Sequence, residues 1–254
     1  MSPRSVVVTG ANRGIGLGLI YQFLKNPDIK HIIATARDVD KATELASIND
    51  PRLHIVPLTV TCDKSIDTFV SKVSDIVGDD GLNLLVNNAG GIIEVSENTP
   101  LRQVLVDQLN LNTVGVVVVA HKLLPLLQKA AANVSGSSLS VSRSAVITIS
   151  SSTGSISQNN SGSTYGQSKS PIVLAYRMAK TAVNQFVKTL SVDSKDDHIL
   201  SVAFCPGWVR TGSGGPNAPS SVEESTSVLV DSFYKLNEEH NGGYFQRDLK
   251  QIPY

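Results

Sequence analysis

The feature that most constrains the fold is the alternation of short apolar runs with helical patterns along the chain. The apolar runs predict seven strands, at residues 5–10, 31–37, 53–60, 82–90, 144–151, 199–207 and 242–248. Helical spacing between them predicts helices at residues 14–25, 63–78, 101–131, 173–190 and 222–236. Such alternation implies right-handed crossovers between parallel strands. We therefore predict one α/β domain over residues 1–254, with a doubly wound, mostly parallel seven-stranded sheet and helices on both faces.

Composition and charge narrow the class of protein. Lysine plus arginine and aspartate plus glutamate number 22 each, so the chain has no net field to hold a nucleic acid. The longest purely apolar run lies within VGVVVVA and is too short to cross a membrane. The first residues lack the apolar core of a signal peptide, which predicts a cytoplasmic protein. Cys62 and Cys205 are then expected to be two buried, reduced thiols.

A glycine cluster, TGANRGIG at residues 9–16, joins the first predicted strand to the first predicted helix. Gly10, Gly14 and Gly16 stand where a side chain would block the approach of a pyrophosphate. The helix that follows offers free backbone N–H groups and a positive dipole end. A tight turn without a ligand could carry the same glycines. Because the strand, the helix and the glycines agree, we predict a dinucleotide site.

The residues after the second predicted strand bear on which dinucleotide binds. An NAD site is expected to have a carboxylate at the end of that strand, and the first one available is Asp38. Arg37 and Arg13 could instead flank a ribose 2′-phosphate with paired, charge-assisted hydrogen bonds. The two arginines could also be solvated surface residues. The pattern favours NADP(H), with Asp38 as the argument for NAD.

A Tyr-x-x-x-Lys pattern occurs twice, as Tyr165 with Lys169 and as Tyr176 with Lys180. Residues four apart share one face of a helix, so the ammonium can stabilise a tyrosinate and make the phenol a usable general acid. Pro171 disfavours a helix through the first pair. An uninterrupted helical pattern surrounds the second pair. We therefore assign the acid to Tyr176, which leaves Tyr165 as a loop residue at the substrate mouth or one without a role.

Several motifs, in order along the chain, resemble those of the short-chain dehydrogenase/reductase family. TGANRGIG resembles its cofactor loop, and NNAG at residues 87–90 resembles its motif after the fourth strand. YRMAK at residues 176–180 resembles its Tyr-Lys pair, and PGWVRT at residues 206–211 its segment beside the nicotinamide. The resemblance covers essentially the whole chain and looks closest to the sniffer and C-factor-like carbonyl reductases. It implies a Rossmann fold and an NADPH-dependent oxidoreductase acting on a carbonyl or alcohol substrate.

The resemblance also implies roles for individual residues. Tyr176 would protonate the developing alkoxide, and Ser151 would orient the carbonyl oxygen, with Ser152 as the alternative. Lys180 would bind the nicotinamide ribose, while Asn112 would hold a relay water or simply bond a neighbouring backbone group. The five histidines show no ligand spacing, so no metal is expected. The residues implied in cofactor binding are Gly10, Asn12, Arg13, Gly14, Ile15, Gly16, Arg37, Val60, Asn88, Ala89, Gly90, Tyr176, Lys180, Pro206, Gly207, Val209 and Thr211.

Two departures from the family pattern stand out. Thr59 occupies the position at which the family usually has an aspartate near the adenine amino group. Ser151 precedes Tyr176 by 25 residues, roughly twice the usual family separation. The extra residues fall in a Ser/Gly/Asn-rich loop, where insertion costs little.

The sequence also bears on the substrate class and on the oligomeric state. Segments 152–170 and 208–225 are rich in small residues and are expected to edge an open cleft for a small aldehyde or ketone. Trp208 is expected either in the cleft wall or in the core. Two other functions stay open: a redox-sensing regulator that binds NADP(H) and acts through protein contacts, and an NAD-dependent alcohol dehydrogenase. The apolar helices at residues 101–131 and 173–190 could bury flat faces in a subunit contact, and the family resemblance implies a homodimer or homotetramer.

Overall fold

The computed structural model describes residues 2–93, 95–96, 98–160 and 170–254. They form a seven-stranded sheet in the order β3-β2-β1-β4-β5-β6-β7. The strands are β1 (Ser5–Val8), β2 (His31–Ala36), β3 (Leu53–Pro57), β4 (Leu84–Asn87), β5 (Ala145–Ile149), β6 (Leu200–Cys205) and β7 (Tyr244–Gln246). Every pairing between these strands is parallel. The predicted parallel α/β sheet is therefore confirmed.

Helices cover both faces of the sheet. They are α1 (Gly14–Leu24), α2 (Thr43–Ala46), α3 (Asp63–Val77), α4 (Leu101–Leu109), α5 (Gly115–Ala132), α6 (Pro171–Asp193) and α7 (Val222–Phe233). One apolar layer contains Phe23 of α1 and Phe233 of α7, and the opposite layer contains Phe69 of α3 and Leu123 of α5. Alternate residues of each buried strand point into the two layers, which is why the strands read as continuous apolar runs.

The strand order reverses between β1 and β4, and this position locates the binding crevice. In doubly wound sheets, ligands bind beyond the carboxyl ends of the strands at such a reversal. The loops that follow β1, β4, β5 and β6 all emerge at this edge. They contain TGANRGIG, NNAG, Ser151 and PGWVRT respectively. The fold thus brings the predicted motifs to one edge of the sheet.

The predicted continuous helix 101–131 is interrupted by a π-helical turn, Asn110–Val114, between α4 and α5. Just beyond this turn the helix passes very close to the end of β3. A Cβ atom added to Gly115 would lie 2.5 Å from the Val60 carbonyl oxygen. A π turn inserts one residue into a helix and is frequent at functional sites. Here it contains Asn112.

By length and composition alone, the stretch Leu101–Ala132 is long and apolar enough to cross a membrane. Its side chains Val119, Leu123 and Leu127 are fully buried in the core layer that contains α3. An apolar face that packs against the sheet therefore accounts for the apolar character of this stretch.

The two cysteines differ in their surroundings. Both are free thiols, and Cys205 is buried at the end of β6. Cys62 is exposed, so the expectation of two buried thiols is wrong for this residue. Cys62 occupies the N-cap position of α3, at the rim of the sheet and outside its apolar layers.

Candidate active site

A cavity of about 360 Å³ opens at the carboxyl ends of β5 and β6. Pockets of this size hold small ligands. The loop after β5 supplies one wall, the loop after β6 supplies another, and α6 closes the third side. Among the predicted site residues, the cavity is lined by Ile15, Ser151, Tyr176, Pro206, Gly207, Val209 and Thr211. The fold therefore brings catalytic and cofactor candidates to one cavity.

Tyr176 and Lys180 lie on an uninterrupted stretch of α6. The helix begins at Pro171, which occupies its first position, where a proline is pre-organised and loses no hydrogen bond. The Lys180 Nζ atom lies 5.7 Å from the centroid of the Tyr176 ring. Tyr165 and Lys169 fall outside the described residues, so their pairing stays untested.

Lys180 is a buried cation. Its side chain is 5% exposed, and its Nζ donates to the Ile149 carbonyl oxygen at 2.8 Å. Burial lowers the pKa of Lys180 to about 8, because the charged ammonium loses hydration. The Cys205 thiol acts in the opposite direction, as the smaller cause. The lysine can therefore exchange its proton close to neutral pH.

Ser151 lies two residues beyond the end of β5 and caps a short 3₁₀ turn, Ser152–Gly154. Its Oγ accepts from the Thr153 backbone N–H at 3.3 Å and from the Thr153 hydroxyl at 2.9 Å. A hydroxyl has two acceptor positions and one donor. Because both acceptor positions are used, the Ser151 proton is left to donate to another group.

The carbonyl oxygen of Ser151 is held from behind. It accepts from the Gly154 N–H at 2.8 Å and from the hydroxyl of Tyr244 on β7. Tyr244 is fully buried, and burial raises the pKa of its phenol well above the usual range, so the phenol remains a donor at neutral pH. The neighbouring Ser150 hydroxyl donates to Asn184 Oδ1 at 2.6 Å. This polar cluster fixes the start of the loop after β5.

Asn112 is fully buried in the π turn and holds the loop after β4. Its Oδ1 accepts from the Gly91 N–H at 2.8 Å, and its Nδ2 donates to the Gly91 carbonyl at 2.9 Å. A Cβ on Gly90 would lie 2.7 Å from Asn112 Oδ1 and 3.8 Å from Lys180 Nζ. The asparagine and the lysine therefore both lie close to the position of a side chain at Gly90, a glycine that no larger residue can replace without movement.

The glycines of this loop stand where a side chain would clash with neighbouring parts of the protein. Gly10 has φ +65°, and a Cβ there would lie 2.9 Å from Ala89 Cα. A Cβ on Gly16 would lie 2.2 Å from the Gly10 carbonyl oxygen. Helix α1 begins with no side-chain cap, so its first N–H groups have no partner from the N-cap side chain. A pyrophosphate fits such a cradle.

Asn88 and Thr9 lock this loop to the end of β4. Asn88 Nδ2 donates to the carbonyl oxygens of Thr9 and Gly10 at 2.9 and 3.0 Å. The Thr9 hydroxyl accepts from the N–H groups of Asn88 and Ala89. The NNAG motif therefore supports the glycine loop through its side chains and backbone.

The charged residues beside the loop favour a phosphate. Arg13 and Arg37 are exposed, and neither has an ion pair or side-chain hydrogen bond with another described residue. Asp38 pairs with Lys41 at 2.8 Å, and the hydrogen bond from Lys41 lowers the pKa of the Asp38 carboxyl. The one carboxylate that could have marked an NAD site is thus engaged elsewhere.

The remaining candidates lie along the same edge. Val60 follows β3. The backbone N–H of Thr59, the residue at the family's adenine-side position, donates to Ser65 Oγ at 2.9 Å. Asn12 precedes α1. Trp208 lines the cavity, is 44% exposed and donates from Nε1 to the Gly214 carbonyl at 2.7 Å. Trp208 is therefore a wall of the cavity and not a core residue.

Sequence reasoning missed the support residues behind Ser151. Tyr244 lies 93 positions from Ser151, in a strand where an aromatic residue is unremarkable. Asn184 lies inside α6 and carries no motif. Within the described ranges, no group of three or more His, Cys, Asp or Glu side chains could hold a metal ion.

Comparison with known proteins gives consistent relatives. The short chain dehydrogenase family model matches residues 4–220. Sniffer of Caenorhabditis elegans is 58% identical, with 100% of both chains covered and a TM-score of 0.89. The carbonyl reductase Sniffer of D. melanogaster is 36% identical, over 99% of this chain and 100% of that one, with a TM-score of 0.91. The NADPH-bound carbonyl reductase from chicken fatty liver is 35% identical, over 100% and 95%, with a TM-score of 0.90.

Proposed function

This chain belongs to the short-chain dehydrogenase family, and from that premise we propose that it reduces the carbonyl group of a small aldehyde or ketone with NADPH. The resemblance to sniffer-type carbonyl reductases is confirmed by relatives that cover the whole chain. The protein is an NADP-dependent oxidoreductase of that family. The observation that carries the finer proposal is the meeting of Ser151, Tyr176 and the Pro206–Thr211 segment in one cavity, with Lys180 buried behind Tyr176.

The cofactor would be held by residues from four loops. The pyrophosphate would lie against the backbone N–H groups at the start of α1, beside Gly10, Gly14 and Gly16, because this helix begins without a side-chain cap. Arg13 and Arg37 would hold the 2′-phosphate of the adenosine ribose. The other residues proposed to contact the cofactor are Asn12, Ile15, Val60, Asn88, Ala89, Gly90, Tyr176, Lys180, Pro206, Gly207, Val209 and Thr211. When bound, NADPH supplies the hydride.

Tyr176 is the proposed general acid. The ordinary pKa of a tyrosine is about 10, too high for fast exchange at neutral pH. The Lys180 ammonium one helical turn away favours the tyrosinate and so lowers the barrier to giving up the proton. Lys180 would also donate to the nicotinamide ribose hydroxyls.

Ser151 is the proposed hydrogen-bond donor to the substrate oxygen. Both acceptor positions of its hydroxyl are taken by Thr153, so its proton is directed to a third group. A fixed donor of this kind stabilises the negative charge that develops on the carbonyl oxygen. Ser150 is a poorer choice because its hydroxyl donates to Asn184.

Asn112 is proposed to keep a water molecule in line with Lys180. Its side chain bonds Gly91, and both Asn112 Oδ1 and Lys180 Nζ lie within 4 Å of the position of a Cβ at Gly90. A water held there would return a proton from solvent to Lys180 after each turnover. The Asn112 side chain hydrogen-bonds to the backbone of Gly91, and the proton relay through a water molecule is our proposal.

The test is NADPH oxidation with a panel of aldehydes and ketones, using wild type, Tyr176→Phe and Tyr165→Phe. Tyr176→Phe should lose at least about 100-fold in kcat and retain NADPH binding, because only the acid is removed. Tyr165→Phe, the change in the other Tyr-x-x-x-Lys pair, should retain both. If Tyr165→Phe is the inactive variant, the assignment of the acid is wrong.

The same assay separates the alternatives. A redox-sensing regulator would bind NADPH and turn over no substrate in the panel. An NAD-dependent alcohol dehydrogenase would bind NADH more tightly than NADPH and be indifferent to Arg37→Ala. Neither alternative is favoured by a particular contact in the structure.

We propose that residues 1–254 form one NADP-binding domain and that the protein acts in the cytoplasm as a homodimer or homotetramer. Exposed apolar side chains on α4 and α6 support such an association: Leu101, Val106, Leu174 and Met178. Light scattering after size-exclusion chromatography measures the molar mass directly. A monomer at micromolar concentration would contradict the proposed association.

A further inference from the structure

Part of the cavity wall is formed by the segment that follows the 3₁₀ turn Ser152–Gly154. Ser155, Gln158 and Asn159 of this segment line the cavity. Residues 155–159, all within the described part of the chain, form turns and bends and belong to no helix or strand. A regular ladder of hydrogen bonds therefore does not fix this part of the wall, and its position depends on individual bonds to the rest of the protein.

Several of those bonds are made to the segment that follows β7. The Ser155 hydroxyl donates to the Pro253 carbonyl oxygen at 2.5 Å. The Ser157 backbone N–H donates to the main-chain oxygen of Tyr254 at 3.1 Å, and the Ser157 hydroxyl donates to the same oxygen. Two consecutive residues after β7 thus hold two residues of the wall segment, although the partners lie 98 and 97 positions apart in the chain.

The segment that supplies these acceptors is itself fixed to the sheet. Ile252 is 1% exposed and packs in the apolar cluster that contains Tyr244 of β7. The Ile252 N–H donates to the Tyr244 carbonyl oxygen at 2.8 Å. Gln251 forms an antiparallel bridge with Phe245. Residues 251–254 are therefore docked on the core and provide a fixed support for the wall segment.

Ser155 connects this support to the cavity wall. The residue is 2% exposed, and its hydroxyl accepts from the Gln158 N–H at 3.2 Å while it donates to Pro253. A hydroxyl has one proton. Because this proton goes to Pro253, Ser155 has none to donate to a substrate, although it lines the cavity. We propose that Ser155 is a positioning residue, which couples residues 251–254 to the wall and thereby sets the affinity for substrates large enough to fill the cavity.

The coupling acts on binding and rests on the proposed function for the reaction that follows. A wall held by hydrogen bonds is in place before the substrate arrives, whereas an untethered wall must lose conformational freedom on contact. A substrate that fills the cavity contacts every wall. A three-carbon aldehyde leaves most of the cavity of about 360 Å³ unfilled and need not contact this one. The hydroxyl of Ser155 takes no part in the chemistry proposed for Ser151 and Tyr176, so kcat should be retained when it is removed.

The kinetic test compares 4-phenylbenzaldehyde with propanal in steady-state NADPH oxidation. Ser155→Ala should raise KM for 4-phenylbenzaldehyde by about 3-fold to 10-fold, the change that corresponds to one neutral hydrogen bond. KM for propanal and kcat for both substrates should change by less than about 2-fold. The matched control is Ser191→Ala, because Ser191 is 4% exposed, donates to the Lys188 carbonyl oxygen at 2.7 Å and does not line the cavity. The control should leave the ratio of the two KM values unchanged.

A second variant acts from the other partner of the same hydrogen bond. Pro253→Gly keeps the carbonyl oxygen that accepts from Ser155 and frees the backbone of an exposed residue. It should raise KM for 4-phenylbenzaldehyde by about 2-fold to 5-fold and leave KM for propanal unchanged. Because it removes no buried side chain, it should fold even if Ser155→Ala does not.

A binding measurement makes the result independent of turnover. Trp208 is the only tryptophan of the chain and lines the cavity, so its fluorescence reports occupancy. With NADP⁺ present, 4-phenylbenzamide serves as an unreactive probe of similar size to the larger aldehyde. Its Kd should rise by about 3-fold to 10-fold in Ser155→Ala and should be unchanged in Ser191→Ala.

The outcomes separate the two proposals. If neither aldehyde is reduced but Ser155→Ala weakens binding of the amide as stated, carbonyl reduction is wrong and the positioning role stands. If both aldehydes are reduced and Ser155→Ala leaves both KM values and the Kd unchanged, the positioning role is overturned and the reductase stands. An equal rise of KM for propanal and 4-phenylbenzaldehyde would overturn the inference, since the effect would then not depend on contact with the wall. An effect of Ser155→Ala without any effect of Pro253→Gly would overturn the coupling to residues 251–254.

Discussion

Replacing Tyr244 by phenylalanine removes one hydroxyl and keeps the ring that fills the site beneath the loop after β5. That hydroxyl donates to the carbonyl oxygen of Ser151, which also accepts from the Gly154 N–H at 2.8 Å. The Ser151 carbonyl would therefore keep one of its two partners. The variant should fold. Ser151, which is proposed to orient the substrate oxygen, would have its carbonyl oxygen held by one hydrogen bond in place of two.

The expected magnitudes are different for stability and for catalysis. A neutral hydrogen bond contributes about 0.5–1.5 kcal/mol to folding, so the melting temperature should fall by only a few degrees. A displacement of about 1 Å in a catalytic group can cost about 100-fold in rate. A shift of a fraction of this, permitted by one remaining hydrogen bond, should lower kcat by about 10-fold. Tyr244 does not line the cavity, so KM and NADPH affinity should hardly change.

The assay is steady-state NADPH oxidation with a substrate identified in the aldehyde panel, together with thermal unfolding. Tyr254→Phe is the matched control, because the Tyr254 hydroxyl donates to the Gly242 carbonyl at 2.6 Å and its ring stacks on Tyr244. Burial likewise raises the pKa of the Tyr254 phenol, to about 12. The control loses a comparable hydrogen bond without touching Ser151, so its kcat should stay within about 2-fold of wild type.

A double-mutant cycle decides whether Tyr244 acts through Ser151. Ser151→Ala alone should lower kcat by about 100-fold or more, the usual loss for one donor to a developing oxyanion. Adding Tyr244→Phe to Ser151→Ala should then cost less than about 2-fold, since the group being positioned is gone. A further 10-fold loss in the Ser151→Ala background would show that Tyr244 acts by another route. An unchanged kcat in Tyr244→Phe alone would refute the positioning argument.

Two further predictions concern the charges of the site. Arg37→Ala should raise KM for NADPH by about 10-fold while KM for NADH changes little in steady-state assays, because only the 2′-phosphate loses a charge-assisted contact; equal effects on both cofactors would contradict the assignment. The folded pKa of Lys180, about 8, lies below the ordinary 10.5, so the unfolded chain binds that proton more readily between these values and stability should rise with pH across this window. In urea unfolding without cofactor, wild type should therefore gain about 2 kcal/mol relative to Lys180→Met between pH 7 and 9.5, and a constant difference would contradict the burial argument.

Much of the fold could be predicted because its signals are local. The capping box that begins α7 was readable as Ser221 followed by Glu224, and both of its hydrogen bonds are present. The π turn within the predicted helix 101–131 could not be predicted from the sequence, since the apolar pattern continues through it. Its neighbourhood depends on the approach of Gly115 to the carbonyl of Val60, a contact between distant parts of the chain. Local periodicity has no access to such a contact.

The site divides in the same way. The spacing of Tyr176 and Lys180 is a property of one helix, so the sequence could rank that pair above Tyr165 and Lys169. The depth at which Lys180 is buried depends on the packing of α6 against the loop after β5, which no spacing encodes. Tyr244 could not be found from sequence because its partner Ser151 lies 93 positions away, in the loop after β5.

The burial of Lys180 connects the stability of the fold to its proposed chemistry. An ammonium enclosed in this way is destabilising at neutral pH, and one hydrogen bond to Ile149 offsets only part of the lost hydration. The same loss of hydration brings the pKa of the lysine to the range in which it can pass protons to and from Tyr176. A more exposed lysine would make the fold more stable and would hold its proton too firmly at neutral pH. A neutral residue would remove the charge that favours the tyrosinate. Under the proposed mechanism, the stability that the buried cation costs is offset by its role in the reaction, at a site where substitution for stability alone would favour another residue.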